Sequence, residues 1–146
     1  MTKIVIFVCC FFLPLGLLAQ NDKTNWVSGS WKVEKIEMIH LEPIIAKATP
    51  EKKKQIEDEL KMLAQTASFE FNKNGTYTAI FSGAKETGKW KLNAYASKII
   101  KEQQNPDGTF QKPDEVGIES LTKNTMVLLN DYETGEIIRM FLRKVK

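Results

Sequence analysis

The chain has 146 residues, of which 42% are hydrophobic, 10% aromatic and 27% charged, a composition typical of one globular domain with a single core and not of two domains. The formal net charge of +3 comes from evenly mixed acids and bases, which argues against a nucleic-acid-binding protein. A single histidine and two adjacent cysteines, Cys9 and Cys10, leave little material for metal or thiol chemistry.

Residues 1–20 have the organisation of a cleaved signal peptide. Lys3 gives a positive start, the run from Ile4 to Leu13 is entirely apolar, and Ala19 is the small residue that signal peptidase requires. We expect cleavage after Ala19 or Gln20, which leaves residues 21–146 as one domain in the periplasm or outside the cell. That domain has a charge of +2, because only Lys3 is lost, and it has no cysteine.

Two alternatives for this segment are a membrane anchor and a lipid-modified cysteine. Pro14 interrupts an apolar run that is shorter than the roughly 20 residues needed to span a bilayer, so we expect no stable membrane span after cleavage. Cys9 follows Ile6-Phe7-Val8 instead of a Leu-Ala-Gly-like tripeptide, and it has almost no apolar region before it. Both alternatives are therefore weaker than a cleaved signal.

The first strand is predicted over Gly29 to Met38, where apolar and polar residues alternate with a period of two. The alternation changes phase between Val33 and Ile36, which predicts a bulge or a strong bend in that strand.

A helix is predicted next, because Thr49-Pro50-Glu51 supplies an N-cap, a proline at the first helical position and an acid in the first turn. Ile56, Leu60 and Leu63 follow at i, i+4 and i+7, so the helix is amphipathic and about four turns long.

The two-residue period returns after this helix. Asn74-Gly75 is the strongest hairpin signal, Gly83 to Gly88 predicts the next turn, and the proline-containing segment Gln103 to Asp114 predicts a long surface loop. Another turn is predicted over Asp131 to Gly135. The strands predicted after the helix are residues 69–71, 76–81, 88–93, 97–102, 116–121, 125–130 and 136–145.

Eight strands joined mostly by tight turns favour a closed antiparallel up-and-down barrel with the helix inserted between strands 1 and 2, because closure removes both exposed sheet edges. An open sheet or a sandwich packed on the helix is the main alternative. Alternation predicts an apolar inward face made of Trp31, Val33, Phe69, Phe71, Tyr77, Ala79, Phe81, Trp90, Leu92, Ile118, Met126, Leu128, Ile138, Met140 and Leu142.

The predicted lumen is the candidate binding site for a small hydrophobic or amphipathic molecule. The candidate ligand-binding residues are Trp31, Phe69, Phe71, Tyr77, Phe81, Trp90, Met126 and Met140. Ile56, Leu60 and Leu63 of the helix are candidates for a lid over the open end. An interior of eight strands can equally be filled by its own side chains.

Catalysis is not expected. His40 has no partner at a metal-ligand spacing, and the adjacent acids Asp114 and Glu115 lie in a solvated, proline-containing segment. Gly83-x-x-x-x-Gly88 lacks the ending of a phosphate-binding loop. We therefore expect no metal site, no cofactor, no nucleic-acid partner and no enzymatic activity.

The sequence resembles the lipocalin-like domain proteins that Gram-negative bacteria export. The residues that carry this resemblance extend over the chain from Ser28 onward, and each motif is short. They are Gly29-Ser30-Trp31, Phe69-x-Phe71-x-x-x-Gly75-Thr76-Tyr77, Gly88-Lys89-Trp90-Lys91-Leu92, Leu121-Thr122-Lys123-x-x-Met126-Val127-Leu128 and Met140-Phe141-x-x-Lys144-Val145. The resemblance implies a calycin-type barrel.

The resemblance also implies that Trp31 closes one barrel end against an arginine from near the carboxyl terminus. Arg143 is the nearer candidate and Arg139 the farther, whereas alternation along the last strand aims Lys144 inward. In either case the role is structural.

Two functional hypotheses follow. The first is an exported, non-enzymatic barrel that binds a small hydrophobic or amphipathic molecule. The second is a solid-core interaction module that docks an envelope protein through its helix or its long loop.

Overall fold

The computed structural model describes residues 22–131 and 134–145. The predicted signal peptide, residues 1–20, and part of the predicted turn from Asp131 to Gly135 lie outside the described residues. The described chain forms one closed barrel of eight antiparallel strands in sequence order, and the last strand pairs back onto the first. The predicted barrel is confirmed, and the open sheet and the sandwich are not formed.

The strands are connected as an up-and-down meander. Their bounds are β1 Gly29–Met38, β2 Ser68–Phe71, β3 Thr76–Phe81, β4 Ala84–Leu92, β5 Lys98–Gln103, β6 Asp114–Leu121, β7 Thr125–Asp131 and β8 Ile137–Lys144. We call the end at which β1 begins the lower end, and the end at which β1 finishes the upper end.

Helical segments precede β1 and separate it from β2. Residues 22–27 are helical (α1). A 3-10 turn, Ile39–Leu41, leads into the short helix α2, Glu42–Ala46, and the long helix α3, Pro50–Thr66. The Thr49 hydroxyl accepts a hydrogen bond from the backbone N–H of Lys52 at 3.3 Å, so the predicted N-cap and helix are confirmed.

The predicted irregularity in β1 is a register shift against β8 between Val33 and Lys35. On its other side, β1 pairs with β2 from Gly29 to Lys32, and the Val33 N–H continues the contact to the Ala67 carbonyl at 3.4 Å. Helix α3 packs along β1. Because β2 is short, the helix takes part in the barrel wall beside the upper half of β1.

The turn predicted over Gly83 to Gly88 is wrong. The chain reverses in two residues, Ser82 and Gly83, whose φ angles are 51° and 79°, and β4 begins at Ala84 opposite Phe81. Two consecutive positive φ angles are the geometry of a type I′ hairpin, which matches the twist of the adjoining strands. This correction places residues 84–88 in the barrel wall.

The core lies inside the barrel. All the predicted inward residues are buried except Phe81, Ile118 and Ile138, which are half-buried and pack against the core. Ile99 and Val116 are also buried, at 1% and 4% exposure, and extend the core along β5 and β6.

Candidate functional site

The lower end of the barrel is closed by Trp31, which has no exposed surface. Its indole N–H donates to the Val27 carbonyl at 2.7 Å, which ties the strand to the helical residues before it. Lys144 lies opposite Trp31 in the β1–β8 register, with its Nζ 5.1 Å from the centroid of the ring, and it donates to the Trp26 carbonyl at 2.8 Å. A cation at this distance is attracted to the face of the indole ring.

The cation at this closure is a lysine, so the assignment of Arg143 is corrected. Arg143 points outward and pairs with Glu34. Arg139 also lies outside, where it binds Glu119 through two hydrogen bonds of 2.7 and 2.9 Å. Successive residues of a strand face opposite sides, so only Lys144 can share the inner face with Met140 and Leu142. Burial lowers the pKa of Lys144, and the nearby charge of Lys73 lowers it further.

The upper half of the barrel contains a cavity of about 140 Å³. Most of its wall is apolar and is supplied by every strand except β1. The lining residues are Phe69, Phe71, Ala79, Phe81, Glu86, Ile99, Lys101, Val116, Leu128, Asn130, Ile138 and Met140. An apolar chamber with a few polar groups is the usual form of a small-molecule site.

Charged side chains enter this cavity from β4 and β5. The Nζ of Lys101 lies 3.4 Å from Glu86 Oε1 and 3.7 Å from Asp114 Oδ2, and the Lys101 side chain is only 16% exposed. Glu86 Oε1 also accepts a hydrogen bond from the Tyr77 hydroxyl. Burial raises the pKa of Tyr77 far above its ordinary value, and its hydrogen bond to Glu86 raises it further, so the phenol stays protonated as a permanent donor.

Asn130 supplies the third polar group of the wall. Its side chain is on the inward face of β7 and the residue is 6% exposed. An amide group carries two N–H donors and a carbonyl acceptor, so Asn130 can hydrogen-bond a polar group of a molecule in the cavity.

Four of the predicted ligand-binding residues, Phe69, Phe71, Phe81 and Met140, line the cavity. The other four lie next to it or below it. Tyr77 reaches the site through Glu86, and the Trp90 ring packs edge-on against Phe71 at 5.2 Å. Trp31 and Met126 are fully buried outside the cavity wall. Binding by any of these residues stays a prediction.

The predicted lid residues lie on the inner face of α3. Leu60 and Leu63 are half-buried and pack against the core, and Ile56 is half-buried one turn earlier. The cavity wall contains no residue of this helix. Control of ligand access by these three side chains stays a prediction.

The polar residues of the cavity were not among the sequence candidates, although their phase along the strands identifies them. Glu86 has the same phase as the inward Trp90, but the segment that holds it is predicted as a turn. Lys101 shares the phase of Ile99 in the polar strand β5, and Asn130 shares that of Leu128.

His40 lies at the upper end of β1, where its Nδ1 accepts a hydrogen bond from the Ile137 N–H at 3.1 Å. Within residues 22–131 and 134–145, no group of three or more His, Cys, Asp or Glu residues is arranged to hold a metal ion. In the same ranges, no helix is both long and apolar enough to cross a bilayer.

These features define a small up-and-down β-barrel that is closed at one end and contains a mainly apolar chamber near the other. The family described as Lipocalin-like matches residues 56–144, and the chain belongs to that family. This match confirms the resemblance noted in the sequence.

Two solved structures are similar to this chain. A lipocalin-like protein from Bacteroides uniformis ATCC 8492 is 16% identical and covers 82% of this chain and 99% of its own, with a TM-score of 0.49. A DUF4847 family protein from Bacteroides vulgatus ATCC 8482 is 13% identical and covers 83% of this chain and 96% of its own, with a TM-score of 0.46. A search of curated proteins found no match.

Proposed function

We propose that this protein is an exported, non-enzymatic binding protein that holds a small amphipathic molecule in the upper half of its barrel. The observation that carries the proposal is the 140 Å³ chamber, whose apolar wall is interrupted by Glu86, Lys101 and Asn130. The membership of the lipocalin-like family supports the same function.

The size of the chamber limits the size of the molecule. A dry engineered cavity of about 150 Å³ holds one benzene molecule. The chamber of about 140 Å³ is therefore suited to a single ring or to a chain of roughly six carbons, and a long-chain lipid would have to extend beyond it.

A chain-length series tests this proposal. Protein purified from cells that express the full chain is titrated by calorimetry with straight-chain alcohols from butanol to decanol. Each buried methylene contributes about 0.8 kcal/mol, so the affinity should rise about fourfold per carbon until the chamber is full. We expect the affinity to stop rising at about six carbons, where the alcohol is as large as a cavity that holds one benzene molecule.

A cavity-filling variant locates the binding site. Ala79 is 5% exposed and lines the chamber, so Ala79→Leu should occupy part of the volume and greatly weaken alcohol binding. The same change at the exposed Ala46 of α2 adds an equal side chain outside the barrel and should leave binding unchanged. The absence of saturable binding, or equal binding by both variants, would contradict the proposal.

Export is supported by the organisation of residues 1–20 and has its own test. Mass spectrometry of the purified protein should find an amino terminus at Gln20 or Asn21, and cell fractionation should find the protein in the periplasm or the medium. An intact chain beginning at Met1 that stays with the cytoplasm would refute export.

The alternative hypothesis, a solid-core module that docks an envelope protein, requires a filled lumen. The chamber and the buried amide of Asn130 favour the ligand-binding function. Two results together would favour the alternative: no small molecule binds to the purified protein, and an envelope protein binds to its helix or its long loop.

A further inference from the structure

Lys101 has hydrogen-bonding capacity left for a ligand. An ammonium group carries three N–H donors, and Lys101 uses one of them in a long hydrogen bond of 3.4 Å to Glu86. Its distance of 3.7 Å to Asp114 is an ion pair and not a hydrogen bond. Lys101 therefore has donors to offer inside the barrel.

Glu86 is held by donors from both neighbouring strands. One of its carboxylate oxygens accepts from both the Tyr77 hydroxyl and Lys101. Tyr77 holds the carboxylate in place from below, and Lys101 lies 5.7 Å from the centroid of the Tyr77 ring. The carboxylate thus serves as a fixed partner that positions the ammonium group.

The surrounding charges do not prevent an anion from binding here. Asp114 is 57% exposed at the upper rim, where solvent screens it. Lys112 lines the same polar surface, which therefore carries the two acids Glu86 and Asp114 and the two bases Lys101 and Lys112. The region is neutral before a ligand enters.

We propose that the chamber binds a small monocarboxylate, whose ring or short chain lies on the apolar wall and whose carboxylate accepts hydrogen bonds from Lys101 and Asn130. This inference rests on the proposed ligand-binding function and specifies its ligand class. Asn130 fits the role because it lines the chamber and its amide group can donate a hydrogen bond. A charge-assisted hydrogen bond from a lysine to a carboxylate is among the stronger polar contacts.

Three probes of similar size separate the charge of the ligand from its shape. Benzoate, benzyl alcohol and benzylamine are titrated separately into the protein by calorimetry, at the same pH and ionic strength. We expect benzoate to bind about tenfold or more tightly than the neutral alcohol and the cationic amine.

Variants then assign the preference to Lys101. Lys101→Met keeps the apolar stem and removes the charge, so benzoate should lose its advantage over benzyl alcohol, while Lys101→Arg should retain it. Lys98→Met removes one charge from the same strand, at an exposed residue paired with Glu115, and should leave the preference unchanged. If Lys101→Met is unstable because the Glu86 carboxylate has lost its cation, the double variant Glu86→Gln/Lys101→Met removes both charges. It should show the same loss of the benzoate preference.

Asn130→Leu tests the second donor and should reduce the affinity for benzoate more than the affinity for benzyl alcohol. Tighter binding of benzylamine, or a benzoate preference that survives Lys101→Met, would overturn the inference. If the alcohols bind and benzoate does not, only the carboxylate assignment fails. If neither the alcohols nor any ring probe binds, the proposed function fails with it.

Discussion

Gly88 is the position where a single added methyl group should most directly test the geometry of the barrel wall. This glycine is buried in β4, opposite Gln103 of β5 and Tyr77 of β3. A Cβ placed there would collide with the carbonyl oxygen of Glu102 and lie 3.0 Å from the Cα of Gln103 and 2.9 Å from the ring of Tyr77. Glu102 and Gln103 pair with β4, and the Gln103 carbonyl accepts a hydrogen bond from the Gln111 N–H at 2.8 Å, so this backbone cannot move away without breaking hydrogen bonds.

The expected cost follows from two opposing effects. Overpacking in a well-packed core costs about 1–3 kcal/mol, and we expect the upper end because the obstructing atoms include backbone. Alanine is otherwise favoured over glycine in a strand by about 0.5–1 kcal/mol. Gly88→Ala should therefore lower the free energy of unfolding by about 2 kcal/mol, which corresponds to a fall of about 1 M in the urea midpoint.

Gly117→Ala is the matched control, because Gly117 also lies inside a strand and its Cβ would lie 3.2 Å from the Leu129 carbonyl oxygen. A small adjustment relieves that contact, so we expect a change within about 1 kcal/mol. Both variants are unfolded in urea and followed by tryptophan fluorescence and circular dichroism. If Gly88→Ala is as stable as the unchanged protein, or no less stable than Gly117→Ala, the close approach of β4 and β5 is refuted.

Three further substitutions test other parts of the structure. Trp31→Phe removes the buried indole N–H, and we expect a loss of about 2–3 kcal/mol in urea unfolding, which an unchanged midpoint would contradict. The pKa of Glu37 is lowered by its hydrogen bond to Lys35 and by Arg139, so the carboxylate stabilises the fold above about pH 4.5 and loses that effect as the pH falls through its folded pKa. Glu37→Gln should accordingly be less stable than the unchanged protein at pH 7 and equal to it at about pH 2, and a difference that does not depend on pH would refute this account. Thr49→Ala should cost about 0.5–2 kcal/mol and Thr49→Ser much less, whereas equal thermal midpoints for the two would show that the cap is unimportant.

The barrel could be predicted from the sequence because the alternation within each strand shows which of its side chains point inward. Alternating side chains identify the inner face, and Asn74-Gly75 identifies a hairpin, so strands and turns are local properties of the chain. The change of phase between Val33 and Ile36 likewise predicts the observed register shift in β1. Closure then follows from the number of strands and from the need to cover sheet edges.

The chamber could not be predicted in the same way, because it depends on which residues meet across strands. The hairpin at Ser82 and Gly83 uses a positive φ angle at a serine, for which the sequence gives no strong signal, and the misplaced turn removed Glu86 from the predicted wall. From the sequence alone, Lys101 is expected to be a solvated charge in a polar strand. The structure instead places it beside Glu86. The phase along β4 and β5 places both side chains inside the barrel, but the sequence does not show locally that they meet across the two strands as a charged pair.

The closure at Lys144 shows a different limit. Strand alternation favours Lys144, whereas the family resemblance favours an arginine, and the two arguments disagree at adjacent residues. The structure follows the alternation, because the direction of a side chain in a paired strand is fixed by its phase.

The pairing of the first strand with the last has a consequence for the order of synthesis. In the β1–β8 register Trp31 is opposite Lys144 and Val33 is opposite Leu142. The ribosome therefore synthesises β1 long before its partner strand exists. During that interval one edge of β1 is open, and closing so long a loop makes the final step slow. The charged residues Lys32, Glu34 and Lys35 along this strand would oppose pairing with other nascent chains until β8 arrives.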